Sequence, residues 1–112
     1  MTAMKYGATN TNERAPIKVV AKSLGSASAN GDVSLSDTLA NYQLIGFAPT
    51  LSSVMTGFDM IPVSVFKSSP YYSRFDSNNT YRHIQVDYKN DTTVTISNRS
   101  NLNIEIFGIN LR

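Results

Sequence analysis

The sequence predicts an all-β chain, folded as an antiparallel β-sandwich, jelly-roll-like, with about seven to eight strands. Three observations lead there. From Pro16 onward, short runs alternate apolar and polar residues with a period of two. Turn-forming residues separate these runs at intervals of roughly 8–12 residues, as in sandwiches and barrels. No window carries the apolar spacing of an amphipathic helix. A chain of 112 residues fits one domain with one core.

Residues 1–15, "MTAMKYGATNTNERA", are polar and unpatterned and read as a flexible lead or the tail of something longer, which leaves 16–112 as the single sandwich domain. "IKVVAKSL" is the first expected strand, followed by a turn in "GSASANG". "DVSLSDTL" directs Val33, Leu35 and Leu39 to one face, after Asn30-Gly31, a favoured pair for a reversal with positive φ. "YQLIGFAP" is the next strand and "TLSSVMTGFD" a loop.

"MIPVSVFK" then places Ile61, Val63 and Val65 in alternation, and Pro62, which has no backbone donor, assigns this strand to an edge or bulge. In "YRHIQVDY" the alternation sets Tyr81, His83, Gln85 and Asp87 on one face and Arg82, Ile84, Val86 and Tyr88 on the other. "TTVTISN" pairs Val94 with Ile96. "LNIEIFGINL" aligns Leu102, Ile104 and Ile106, then Ile109 and Leu111 after a change of phase at Gly108. The intervening "KNDT" and "NRSN" read as short hairpin turns.

Composition narrows the function. Only 16% of residues are charged, whereas fourteen serines, eleven asparagines and ten threonines give a surface that binds by neutral hydrogen bonds. The net charge of +2 is spread along the chain without a basic cluster, so nucleic acid is not an expected partner. There is no cysteine, hence no disulfide, thiolate metal site or cysteine nucleophile. No apolar run is long enough for a signal peptide or a membrane span, so neither export nor membrane insertion is expected. The acceptor patterns at Asn78, Asn90 and Asn98 follow from the composition.

Chemistry concentrates in "SSPYYSRFDSNNTYRH", residues 68–83. Carbohydrates present apolar C–H faces and rings of hydroxyls, and flat aromatics beside amides, carboxylates and guanidinium groups match both. Tyr71, Tyr72, Arg74, Asp76, Asn78, Asn79, Tyr81 and Arg82, with Phe75 among them, form the candidate ligand surface. The same rings also suit a core or a subunit interface. Tyr71 and Tyr72 discriminate, because neighbours on a strand point to opposite faces. Met55 and Phe58, in a segment of turn composition, point to a contact with another subunit or a ligand.

Catalysis has little to stand on. A triad would need the lone His83 oriented by a carboxylate and touching a serine, and no Gly-x-Ser-x-Gly elbow exists. The carboxylate pairs Asp87 with Asp91 and Asp59 with Asp76 lie among turn formers, where Asp bonds local backbone. One histidine without cysteine builds no transition-metal site within a chain, so no metal and no cofactor are expected.

Two stretches, "NGDVSLSDTLANYQLIGF" (30–47) and "NDTTVTISNRSNLNIEIFGINLR" (90–112), resemble the terminal receptor-binding domains of bacteriophage tail fibres and tailspikes. In those domains a "Gly-x-(Val/Ile)-x-Leu-Ser-x-(Ser/Thr)-Leu-x-Asn-Tyr" strand and turn precedes a buried strand, and the chain ends close to "Ile-x-Ile-x-Gly-Ile". The resemblance implies a homotrimeric β-sandwich at the tip of a fibre or spike in the virion, made in the bacterial cytoplasm, that binds a bacterial surface glycan without enzymatic activity. A trimerisation cap or folding chaperone of the rest of a longer fibre, and a small glycan-modifying esterase or lyase, are the alternatives. Segment 50–83 departs most from the family pattern, so no ligand-contacting residue carries over.

Overall fold

The computed structural model describes residues 18–77 and 80–112. The expected lead at 1–15 and the candidate residues Asn78 and Asn79 lie outside the described residues. Among the described residues, nine strands form two packed antiparallel sheets: β1 (Val19–Ala27), β2 (Gly31–Ser34), β3 (Leu44–Leu51), β4 (Val54–Met55), β5 (Asp59–Pro62), β6 (Tyr71–Ser77), β7 (Thr80–Asn90), β8 (Thr93–Asn98) and β9 (Asn103–Leu111). One sheet runs β1-β9-β3-β4 with β5 also on β3, and the other runs β2-β8-β7-β6. The second order is that of a Greek key, with the meander β6-β7-β8 closed by β2.

The core lies between the sheets. Alternation delivers Ile84 and Val86 from β7, Val94 and Ile96 from β8, and Ile104 and Ile106 from β9, all buried. Phe47 stacks on Tyr71 at 4.4 Å and 12° and tilts against Phe66 at 5.3 Å. Tyr71 is only 4% exposed. Its hydroxyl donates to Asp59 Oδ2 at 2.7 Å, satisfying the one polar atom it brings inward. Burial and the bond to that carboxylate push its phenol well above the ordinary range.

Five sequence expectations need correction. "TLSSVMTGFD", expected as a loop, carries the end of β3, the whole of β4 and the start of β5. β1 extends through Gly25–Ala27, which composition assigned to a turn; its register shifts between Ser23 and Gly25, a bulge that turns Leu24 into the core. The strand expected to continue through Val63 and Val65 stops at Pro62, and a one-turn helix α1 (Val63–Phe66) follows. Val63 and Phe66, three residues apart, are buried, while Val65 is 49% exposed. "NRSN" is not a hairpin: with Ser100 and Asn101 at φ 41° and 66°, it carries the chain from β8 in one sheet to β9 in the other. Leu111 is 44% exposed, outside the core.

The two ends of the sandwich differ. At one pole Lys18 and Arg112 exchange backbone hydrogen bonds of 2.6 and 2.8 Å. This pole is cross-linked by side chains. Asp37 accepts from Tyr42 Oη at 2.7 Å, the Thr38 amide at 2.8 Å and Asn41 Nδ2 at 3.0 Å. Asp91 accepts from Tyr88 Oη at 2.7 Å and pairs with Lys67 at 3.3 Å. At the other pole lie the β1–β2 and β3–β4 connections, the end of the β6–β7 hairpin and the β8–β9 crossing.

Two outcomes test this account. A Cβ on Gly108 would sit 2.7 Å from Tyr42 Cγ and Cδ1, so Gly108→Ala should lower stability in urea unfolding by about 1–3 kcal/mol, as overpacking does. The bonds from Tyr42 and Thr38 hold the Asp37 carboxyl below its ordinary pKa. The unfolded chain therefore binds the proton first, and the stability this carboxylate contributes is lost as pH falls below about 4. In thermal unfolding, the gap between wild type and Asp37→Asn should narrow from pH ~6 to pH ~2.

Candidate functional site

The outward face of the β6–β7 hairpin gathers four of the eight candidate residues. The register pairs Tyr72 with Gln85, Arg74 with His83 and Asp76 with Tyr81, and residues paired across strands share a face. β8 is paired with β7 only from Gln85 onward, so this part of the hairpin extends past the neighbouring strand. Tyr72 and Tyr81 are 51% and 45% exposed.

The cluster is ordered by its own contacts. The Tyr72 and Tyr81 hydroxyls hydrogen-bond to each other. His83 lies against both rings, 5.7 Å from Tyr72 at 28° and 4.9 Å from Tyr81 at 31°. The Arg74 guanidinium stands over the Tyr81 ring at 4.3 Å and donates from Nε to Asp76 at 3.2 Å. An exposed cation–π contact contributes about 0.5–1 kcal/mol, and the ion pair little more. What the set provides is rings with fixed orientation beside a guanidinium and a carboxylate. The bond to Tyr81 raises the Tyr72 phenol above its ordinary pKa.

Of the residues singled out in the sequence, Tyr72, Arg74, Asp76 and Tyr81 come together here. Tyr71 does not: it faces the core, opposite to Tyr72, as strand geometry demands. Arg82 and the half-buried Phe75 face the inner side, and Arg82 Nε is buried without a hydrogen-bond partner among the described residues. His83 is not among the ligand residues expected from the sequence, yet it stands at the centre of the cluster. Its presence on the Tyr81 face was legible from alternation, but its contact with Tyr72 depends on register.

His83 Nδ1 is 3.4 Å from Ser100 Oγ, at the outer limit of a hydrogen bond. No carboxylate bonds to His83 among the described residues, so nothing there orients it as a triad base requires. The carboxylates raised as acid–base pairs are engaged separately: Asp59 by Tyr71, Asp76 by Arg74, Asp87 by Gln85 at 3.1 Å, and Asp91 by Tyr88 and Lys67. Among the described residues no group of three or more His, Cys, Asp or Glu is placed to hold a metal ion, and no helix is long and apolar enough to cross a membrane.

Comparison of the chain with protein-family models, curated protein sequences and solved structures finds no match in any of the three. The chemistry of the site therefore stands on its own residues. Removing one hydroxyl of the tyrosine pair tests the contact that orders it. In Tyr81→Phe the ionisation of Tyr72, followed by phenolate absorbance, should move to lower pH, while stability changes by less than about 1 kcal/mol because the pair is exposed.

Proposed function

We propose that this chain is a non-enzymatic recognition domain at the tip of a bacteriophage fibre or tailspike, and that it binds a bacterial surface polysaccharide. The observation that carries this reading is the Tyr72, Tyr81, His83 and Arg74 surface, exposed on a hairpin at the pole opposite Lys18 and Arg112. Ring faces accept the C–H surface of a sugar, and the guanidinium and carboxylate bond its hydroxyls. With the two ends of the described chain at the opposite pole, attachment to a longer fibre would leave this surface facing outward.

The same reading includes a homotrimer. The exposed Val19, Phe58, Met60 and Leu111 lie on the outward face of the β1-β9-β3 sheet or at its edge, and Phe58 lies edge-on to Phe107 at 5.8 Å. They occupy the part of that face toward Lys18 and Arg112, while Asn103 and Glu105 of β9 lie beyond them toward the hairpin pole. A sheet face of this kind suits association with copies of itself. A purely structural cap uses the same patch and would leave the tyrosine surface idle, which is the second reading.

One experiment separates the two. In sedimentation the chain should run as three copies of 12.3 kDa, and on a bacterial glycan array or whole cells it should bind. Tyr72→Ala, confirmed to assemble, should weaken binding about tenfold or more, in keeping with the loss of a stacking ring. A trimer that binds no bacterial glycan favours the cap. Binding that survives Tyr72→Ala unchanged removes this surface from recognition.

A further inference from the structure

A second, chemically different concavity lies on the outer side of the other sheet, at the same pole as the hairpin. It is a groove of about 410 Å³ beside Ala27 and Ile104, the last rung of the β1–β9 ladder. Ser26, Ser28, Thr50, Ser53, Asn103 and Glu105 line it. The register explains the convergence: Ser26 pairs with Glu105 on one side of β9, and Thr50 pairs with Asn103 on the other, so residues from three strands face one way. The volume is within the range of small-molecule sites.

Two features bear on what the groove can bind. Ser26, Ser28, Ser53, Asn103 and Glu105 are exposed and Thr50 is half-buried, and among the described residues none of these side chains makes a hydrogen bond within the protein, so all six are open to a ligand. Ser53 also occupies a costly backbone position. The two-residue turn Ser52-Ser53 has φ 51° and 67°, closing the β3–β4 hairpin where Leu51 pairs with Val54. Such turns favour Asn and Gly, which tolerate positive φ. Serine at this position gives the groove a hydroxyl that glycine would not.

The lining also selects among ligands. Hydroxyls and a carboxamide donate and accept, Glu105 only accepts, and among the described residues no Lys or Arg lines the groove. Phosphate, sulfate and carboxylate ligands would meet a lone negative charge without a cation to offset it. We infer that the groove is a binding site for a polyhydroxylated ligand carrying a protonated amine, of the amino-sugar class, with Glu105 receiving the ammonium group. This inference rests on the groove and not on the tyrosine surface.

The test is amide chemical-shift titration of the isotopically labelled full chain with glucosamine, and in parallel with N-acetylglucosamine, which keeps the ring hydroxyls and lacks the charge. Glucosamine should shift Ser26, Ser53, Asn103 and Glu105, and N-acetylglucosamine should bind several-fold more weakly. Glu105→Gln, which touches no internal bond, should cost about tenfold in affinity with the rest of the spectrum unchanged.

The turn supplies a control that does not depend on a damaged fold. Ser52→Gly and Ser53→Gly should both raise the melting temperature, since glycine relieves the positive φ. Only Ser53→Gly should weaken glucosamine binding. Equal affinity for the neutral sugar, unchanged affinity in Glu105→Gln, or no shift at the groove overturns the inference. Shifts confined to Tyr72, Tyr81 and His83 also overturn it, while supporting the reading of the hairpin surface.

Discussion

The pairing of β3 with β9 is the constraint on which the rest of this fold depends. It joins residues 44–50 to 103–109, so it is formed across most of the chain, and it places β9 between β3 and β1. β3 is buried without interruption from Ile45 to Pro49, on both of its faces. Only small residues allow that. Gly46 lets Ile109 and Phe58 lie on the outer side, where a Cβ would stand 2.8 and 3.1 Å from their atoms. Gly108 lets Tyr42 fold over the strand. Once Tyr42 is in place its hydroxyl reaches Asp37, so that cross-link of the pole follows from the packing of one ring on one glycine.

From this centre the molecule divides its chemistry by pole. Where Lys18 meets Arg112, carboxylates and amides are consumed internally: Gln43 receives from the Leu111 amide at 2.6 Å, and Asn110 receives from the Gln43 amide at 2.9 Å. Side chains committed in this way have little left to offer a ligand. At the far pole the tyrosine hydroxyls bond only to each other, and the groove beside Glu105 keeps its polar side chains unpaired among the described residues. Satisfied groups rigidify, and unsatisfied exposed groups remain available for recognition.

Much of the fold was legible because period-two patterning is strong where one face is buried. Ile84 with Val86, Val94 with Ile96, and Ile104 with Ile106 all read correctly from alternation alone. The pattern failed where it was short. Val63 and Val65 alternate, but Val63 and Phe66 are also three apart, and after Pro62 the helical spacing prevails. The NRSN turn was misread because a two-residue left-handed reversal looks the same whether it joins neighbours in one sheet or crosses between two. For the site, alternation separated Tyr71 from Tyr72 and placed His83 beside Tyr81. What it could not give was the register across β6 and β7, and only register brings Tyr72 onto His83.

The two outer faces of the sandwich differ in the kind of free energy they can contribute. On the β1-β9-β3 sheet, apolar side chains gain by leaving water over a broad area, a non-directional force that suits an interface between identical copies. On the β6-β7 hairpin, rings and charges gain mainly by geometry, which suits discrimination between ligands that differ by a hydroxyl. Self-association through the apolar face would leave the aromatic face in solvent, so the two proposed roles do not compete for surface. In the proposed assembly a weak sugar affinity per copy would be no objection, since copies held together would present several hairpins to one polysaccharide and raise its effective concentration.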